Sequence, residues 1–242
     1  MRSCSKCIMD ETDPKIVFDD KGVCNHCLDF EKKKVGWHPN EHGLNLLKQT
    51  VQKIKERGQG KEYDCIIGLS GGIDSTYLAL RVSEWGLRPL VLHVDAGWNS
   101  EQAIFNIEAV VKYCNYDLKT VIVDWETMRS VQLAFLRSGI PNQDVPQDHI
   151  FFSTLYHYAT KNRIGSILTG GNLATEGIFP HAWHGSAMDS RNLKDIYKRF
   201  GDGNLKLYKT ISFFKYYLYF PLVLRMRTFR PLNFLDYNKE NA

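Results

Sequence analysis

The hydrophobic pattern of this chain is a series of short apolar runs separated by amphipathic stretches. Residues 64–69, 89–94, 118–123 and 166–169 are dense in Ile, Val and Leu. Runs of this length and composition predict strands, the first of them of a buried type. Between them the apolar spacing becomes helical, predicting helices over 75–85, about 100–114, about 126–138, 148–162 and 192–200. Gly86 reads as a C-cap, Ser100 and Glu101 mark a helix start, and Gly139-Ile140-Pro141 is a stop. Strands alternating with helices predict an α/β fold, a doubly wound parallel sheet with ligands at the strand C-termini. Ahead of it, Leu44, Leu47, Val51 and Ile54 recur at helical spacing. The expected organisation is a Cys-rich unit over 1–35, a helical connector over 36–62, an α/β domain over 63–200 and an aromatic-rich helical segment over 201–242.

The Cys-rich unit holds two C-x-x-C knuckles, Cys4 with Cys7 and Cys24 with Cys27, 16 residues apart. Each knuckle aims two thiolates at one ion, and the turn at Asp19-Asp20-Lys21-Gly22 brings the pairs together. This predicts a closed, structural Cys₄ zinc site. His26 lies inside the second knuckle as a bystander. Met1-Arg2-Ser3-Cys4 is not followed by an apolar signal core, so a cytoplasmic location and reduced thiols are expected. Cys65 and Cys114 fall inside predicted regular elements and read as packing residues.

The densest chemistry follows the first strand, at Ser70-Gly71-Gly72-Ile73-Asp74-Ser75. Gly71 and Gly72 allow positive φ and close approach of a ligand. The loop amides and the first helical turn would converge on a phosphate. A bare strand-to-helix turn with a Ser or Asp cap is the other reading. After the second strand, Asp95 is placed either on a ribose hydroxyl or metal, or as a turn cap. Thr169-Gly170-Gly171-Asn172-Leu173-Ala174-Thr175-Glu176 follows the fourth strand and belongs on the same rim. There Asn172 suits a nucleotide or a substrate amide, and Glu176 suits a divalent ion or a proton transfer. His181 and His184 read as substrate contact or loop packing in preference to metal ligands. Asp148 opens a helix beside Gln147 and His149, as a cap or a site acid. Asp189 opens another, with Arg191 and Lys194 facing solvent or an anionic substrate.

The string from Ser70 to Ser75 resembles the SGGxDS signature of the PP-loop ATP pyrophosphatases, and no Walker A string occurs. That superfamily splits ATP between the α- and β-phosphates and activates a carbonyl-type oxygen as its AMP ester. The four cysteines, the 70–75 loop, Pro146-Gln147-Asp148-His149 and Gly170 to Glu176, in this order, resemble the N-acetyl sugar amidotransferases of bacterial surface-polysaccharide, O-antigen and flagellin-glycan biosynthesis. Members of that family are usually longer. The resemblance implies conversion of a sugar acetamido group to an acetamidino group through an adenylated imidate, with ATP, Mg²⁺ and a structural Zn²⁺. It implies Asp74, Ser75 and Glu176 as catalytic residues. Ser70, Gly71, Gly72, Asp74, Ser75, Asp95, Gly170 and Asn172 would be the nucleotide-binding ones. Its partners would be a nucleotide-activated or acidic N-acetyl sugar and a separate glutaminase subunit delivering ammonia. The rival reading is a PP-loop tRNA thiolation enzyme, which usually needs a Cys near the loop.

A net charge of +4 in 242 residues is too mild to indicate a nucleic-acid partner. The stretch 211–235 is aromatic and apolar but interrupted by Lys215, Pro221, Arg225 and Arg227, so it makes no 20-residue apolar span. A core or partner-docking helix is expected there, with peripheral membrane contact as the alternative.

Overall fold

The structure is a computed structural model, and it describes every residue except Phe179, His181, Ala182, His184, Gly185, Asn204, Asn241 and Ala242. Five parallel strands form the sheet: β1 (Cys65–Gly68), β2 (Pro89–Asp95), β3 (Asp117–Ile122), β4 (Ser166–Leu168) and β5 (Arg227–Phe229). Their order is β3-β2-β1-β4-β5. The chain steps outward from β1 to β2 and β3, then crosses back to β4. The switch point therefore lies between β1 and β4, where Ile66 and Ile67 pair with Ile167 and Leu168. The doubly wound parallel sheet read from the apolar runs is the fold observed.

Helices cover both faces because β1 and β4 are apolar on both. On one face pack α2 (Glu41–Gly58), α3 (Ile73–Glu84) and α4 (Glu101–Cys114), around Leu47, Val51, Ile54, Leu78 and Val82. Three of the four stripe residues of α2 are buried there, while Leu44 stays exposed. Each such fully buried side chain contributes about 1.5–3 kcal/mol. On the other face lie α5 (Trp125–Ser138), α6 (Val145–Lys161) and α8 (Ser190–Phe200). The helix ends follow local chemistry. Asn40 and Ser100 cap α2 and α4 by accepting from Gly43 and Ala103 N–H, and Gly139 ends α5 with φ +66°.

Three features depart from the sequence expectations. Helix α6 starts at Val145, with Pro146 in its first turn, where a missing N–H costs nothing. Asp148 therefore lies inside the helix and does not open it. Two helices are not among those predicted: α1 (Asn25–Lys33), inside the Cys-rich unit, and the one-turn α7 (Leu173–Glu176), in the Gly-rich stretch after the fourth strand. The C-terminal segment forms a π-helix over Lys215–Val223, then the edge strand β5, then a 3₁₀ turn over Pro231–Phe234. Pro221 has no N–H to give the π-helix, and Leu224 N–H reaches back five residues to Tyr219 O. Leu232, Leu235 and Tyr237 then enter the core beside α2 and α3.

Candidate functional site

The 70–75 loop leaves β1 at the switch point and is fixed from three sides. His93 Nδ1–H donates to Leu69 O at 2.9 Å, which leaves Nε2 to accept from Asn99 Nδ2 at 3.1 Å. Asn106 of α4 donates to Gly71 O at 2.9 Å. Gly71 has φ +78°, and a Cβ there would lie 2.2 Å from Ala103 O, so both conformation and space require glycine. Ser75 Oγ donates to Gly72 O at 3.0 Å and accepts from Ser70 N–H at 3.2 Å. The Ser70 hydroxyl lies 3.1 Å from the same oxygen. The 73–75 amides open α3 and have no intrahelical acceptor, so a positive helix end and two hydroxyls meet here.

The loop after β4 closes on this one. A Cβ on Gly170 would come within 3.1 Å of the Asp74 backbone and 3.2 Å of Ser75 N. Asn172 is buried and fully engaged: its Oδ1 caps α7 at Thr175 N–H, 2.9 Å, and its Nδ2 donates to Gly170 O and, at 3.3 Å, to Asp74 Oδ1. Asn172 thus joins the two loops rather than presenting free atoms. Glu176, at the exposed end of α7, faces Gly171 from one side and Arg230 from the other. A Cβ on Gly171 would be 3.3 Å from Glu176 Oε2 and 3.7 Å from Arg230 Nε.

Asp74 is the hub. Its Oδ1 accepts from Tyr237 OH at 2.6 Å, and its Oδ2 pairs with Lys239 Nζ at 2.9 Å. Burial, reinforced by the Asp74 carboxylate, pushes the Tyr237 phenol up, so it stays a donor. Tyr237, Lys239 and Arg230 lie far away in sequence, and sequence reading missed all three. The available signal for Arg230 was the row of cations within an acid-free stretch; Tyr237 and Lys239 carried none.

Asp95 ends β2, and its Oδ1 accepts from Gly97 N–H at 2.9 Å, so one oxygen is committed to the turn. Gly97, with φ +85°, lies against the ring of Trp125, which meets the half-exposed Trp98 edge-on at 5.2 Å. Asp189 caps α8 through Arg191 and Asn192 N–H, both 3.0 Å, and Arg191 lies over Phe213. His149 is buried, donating from Nδ1 to Ala187 O and accepting at Nε2 from Ile211 N–H, so it ties α6 to the turn ahead of α8 and to the stretch ahead of the π-helix. His181 and His184 lie outside the described residues.

Asp148 is different. It keeps solvent contact on one side, but the protein around it desolvates the carboxyl. That burial, with the charges of Asp144 and Glu176, pushes it up to about 6. The folded state therefore holds a proton that the unfolded chain has lost, from the ordinary carboxylate range up to pH 6. Stability contributed by this group is present below that window and is lost as pH rises through about 6. Asp148→Asn is expected to flatten this step and to raise the melting temperature above pH 6, checked by melting curves at pH 4 to 8.

The four knuckle cysteines form a second centre. Their sulfurs all lie within 4.8 Å of one another, with Cys4–Cys27 at 3.9 Å and Cys7–Cys24 at 3.7 Å. A tetrahedral zinc with bonds of about 2.3 Å has sulfur–sulfur edges of about 3.8 Å, so the set fits that ion. Burial raises the Cys4 thiol, but N–H donors from Lys6 and Cys24 outweigh it and bring it down to about 6. His26 points away, with Nε2 2.6 Å from the buried Asp13. The cluster is tied to the rim that carries Glu176: a Cβ on the neighbouring Gly177 would lie 2.1 Å from the Phe30 ring of α1.

No family model and no curated protein matches this chain. Among solved structures it is similar to an NMN synthetase from Francisella tularensis, with 20% identity over 68% of this chain and 71% of that one, at a TM-score of 0.43. It is also similar to an NH₃-dependent NAD synthetase from Campylobacter jejuni, with 16% identity over 65% and 72% and a TM-score of 0.42. A third is a predicted subunit of tRNA methyltransferase from Methanocaldococcus jannaschii, with 12% identity over 73% and 72% and a TM-score of 0.39.

Proposed function

We propose that this chain is an ATP-consuming synthetase that cleaves ATP between the α- and β-phosphates and converts a sugar N-acetyl group to an acetamidino group. The observation that carries the reading is the junction of the 70–75 loop with Gly170 and Asn172 at the switch point, centred on Asp74. The SGGxDS resemblance gives the ATP half, and the resemblance to the sugar amidotransferases gives the acceptor. A cleft of about 270 Å³ near Asp148, lined by Asn142, Gln143, Asp144 and Trp183, has the aromatic and polar lining a sugar ring requires.

In this reading the acetamide oxygen attacks the α-phosphorus, the α–β anhydride bond breaks and pyrophosphate leaves. Ammonia from a separate glutaminase then adds to the imidate carbon, the carbon–oxygen bond to AMP breaks, and a proton is lost to give the amidine. The loop amides, Ser70 and Ser75 receive the charge of pyrophosphate. Lys239 and Arg230 add positive charge at the rim, and Glu176 accepts the proton from the incoming nitrogen. Asp74 would hold Mg²⁺ through Oδ2, an oxygen already placed to meet a cation, on displacement of Lys239 Nζ, and a hard ion held by one or two carboxylates keeps room for phosphate oxygens. When bound, Mg²⁺ supplies charge neutralisation on the polyphosphate. No covalent nucleophile is needed, so the protein acts by positioning.

The tRNA thiolation alternative is disfavoured by the two remaining cysteines. Cys65 is fully buried at the end of β1 opposite the loop, and burial holds its thiol far above the usual range. Cys114 ends α4, also raised by burial. The test is incubation of the full chain with Mg-ATP, ammonium and a diacetamido nucleotide sugar. AMP and pyrophosphate are expected only when all are present, with a sugar product in which NH replaces O by mass spectrometry. AMP formation that instead depends on tRNA and a sulfur donor would overturn the reading.

A further inference from the structure

The C-terminal segment carries two features that the catalytic site does not use. The first is an exposed apolar face on and beside the π-helix. Tyr216 and Phe220 turn inward, Phe220 stacking on Tyr156 of α6 at 4.9 Å. Phe213, Phe214, Tyr217, Leu218, Leu222 and Val223 remain 43–69% exposed. These six large side chains fall within residues 213–223, a density that singly exposed surface residues do not reach. The second is charge. Residues 203–235 contain no Asp or Glu but six cations: Lys206, Lys209, Lys215, Arg225, Arg227 and Arg230.

A cleft of about 400 Å³ opens where the π-helix ends. Its floor is apolar, with Ile164, Leu224 and Met226, and four cations border it: Arg57, Lys61, Arg163 and Arg225. The one acid in its lining, Asp64, is taken by Arg88 at 2.6 Å. Among the described residues none of the four border cations forms an ion pair. Lys61 Nζ is engaged only with the carbonyl of Arg163, at 3.1 Å. Arg163 and Arg225 both hold positive φ, +54° and +52°, in the turns that feed β4 and β5.

We propose that the apolar face of the π-helix and this cationic cleft together dock the protein on a membrane surface rich in anionic phospholipid. The aromatic and aliphatic side chains would enter the headgroup–acyl boundary, where Tyr and Phe are favoured. The cleft would take a lipid phosphate on its cations and glycerol or acyl carbons on its floor. The acid-free stretch removes the repulsion that an anionic surface would otherwise meet. Among the described residues no helix is long and apolar enough to cross a membrane, so this is a contact in the interface plane. The cleft lies at the N-terminal ends of the strands and the 70–75 loop at their C-terminal ends, so docking leaves the catalytic edge open to water.

The test is flotation of the full chain with vesicles of phosphatidylcholine alone and of phosphatidylcholine mixed with phosphatidylglycerol. Binding is expected to the anionic vesicles only, weakened but not abolished by added salt. Inorganic phosphate at equal phosphate concentration is expected not to displace it. The double variants Phe214→Ser/Leu222→Ser and Arg57→Gln/Arg163→Gln should each weaken vesicle binding about tenfold or more with an unchanged melting temperature. Absence of binding to anionic vesicles would overturn the proposal. So would displacement by inorganic phosphate, which would mark a soluble-phosphate site. A concentration-dependent dimer that Phe214→Ser/Leu222→Ser converts to monomer, without vesicle binding, would assign the face to a second copy of the chain instead.

Discussion

Asp74→Asn is expected to lower AMP formation by about 10²–10³-fold while leaving the melting temperature within a few degrees of the parent. The amide keeps an oxygen for Tyr237 OH and Asn172 Nδ2, the two short-range contacts that hold the tail and the β4 loop onto α3. It loses the negative charge that pairs with Lys239. That ion pair is partly exposed and contributes little to folding. Its removal therefore separates charge from architecture. If Asp74 were only a cap, Asn would replace it with little effect, since both residues cap helices well. Asp74→Ala should lose as much activity and also loosen the tail, because the buried Tyr237 hydroxyl would lack its acceptor. Lys239→Met tests the other half of the pair. It is expected to raise KM for Mg-ATP more than it lowers kcat, if the ammonium meets the phosphates in the ground state. Activity of Asp74→Asn equal to the parent would remove Asp74 from the catalytic set.

The parts of this centre that sequence made legible are those built by local pattern. The apolar runs placed β1 to β4 to within one residue at each end, since the central parallel strands carry little besides Ile, Val and Leu, while β3 at the sheet edge kept enough of them to be read although most of it is exposed. The glycines at 71 and 170 stood out because the backbone comes close to other backbone at both. The Cys spacing drew four thiols together, and their sulfurs do converge. What stayed hidden depends on distance along the chain. Tyr237 meets Asp74 across 163 residues, and no periodicity encodes such a contact. β5 has three residues, Arg227, Thr228 and Phe229, too few and too exposed to read as a strand. It pairs only because β4 leaves an edge beside it. Asn172 adds a role that pattern does not show: its amide suits a ligand by sequence, and in the fold it caps a helix and reaches Asp74.

The largest stability effect is expected from the cysteine cluster. Metal analysis should give about one zinc per chain, and Cys24→Ser should release it, because a closed site has no spare ligand. Metal binding in small zinc units contributes about 10–16 kcal/mol of apparent free energy, more than residues 1–35 could replace from their own core. That core is small: Met9 and the cysteines themselves, with Ile16, Phe18 and Val23 partly covered. Without the ion three buried thiols and the Asp13–His26 pair would have to hold it. Cys24→Ser should therefore expose residues 1–35 to limited proteolysis while the α/β sheet keeps its far-ultraviolet dichroism. The consequence for catalysis runs through one contact. Phe30 of α1 rests against Gly177, and Leu173 lies beside Gly36, so α1 and the turn after it brace α7 from outside. α7 carries Glu176 and is capped by Asn172, the residue that reaches Asp74. Loss of the ion should thus lower AMP formation by about 10–100-fold, the upper end being the cost of a misplacement of about 1 Å. Phe30→Ala should reproduce the activity loss with zinc still bound. Full activity in a zinc-free, proteolysed chain would show that the cluster folds its own unit and does nothing for the site.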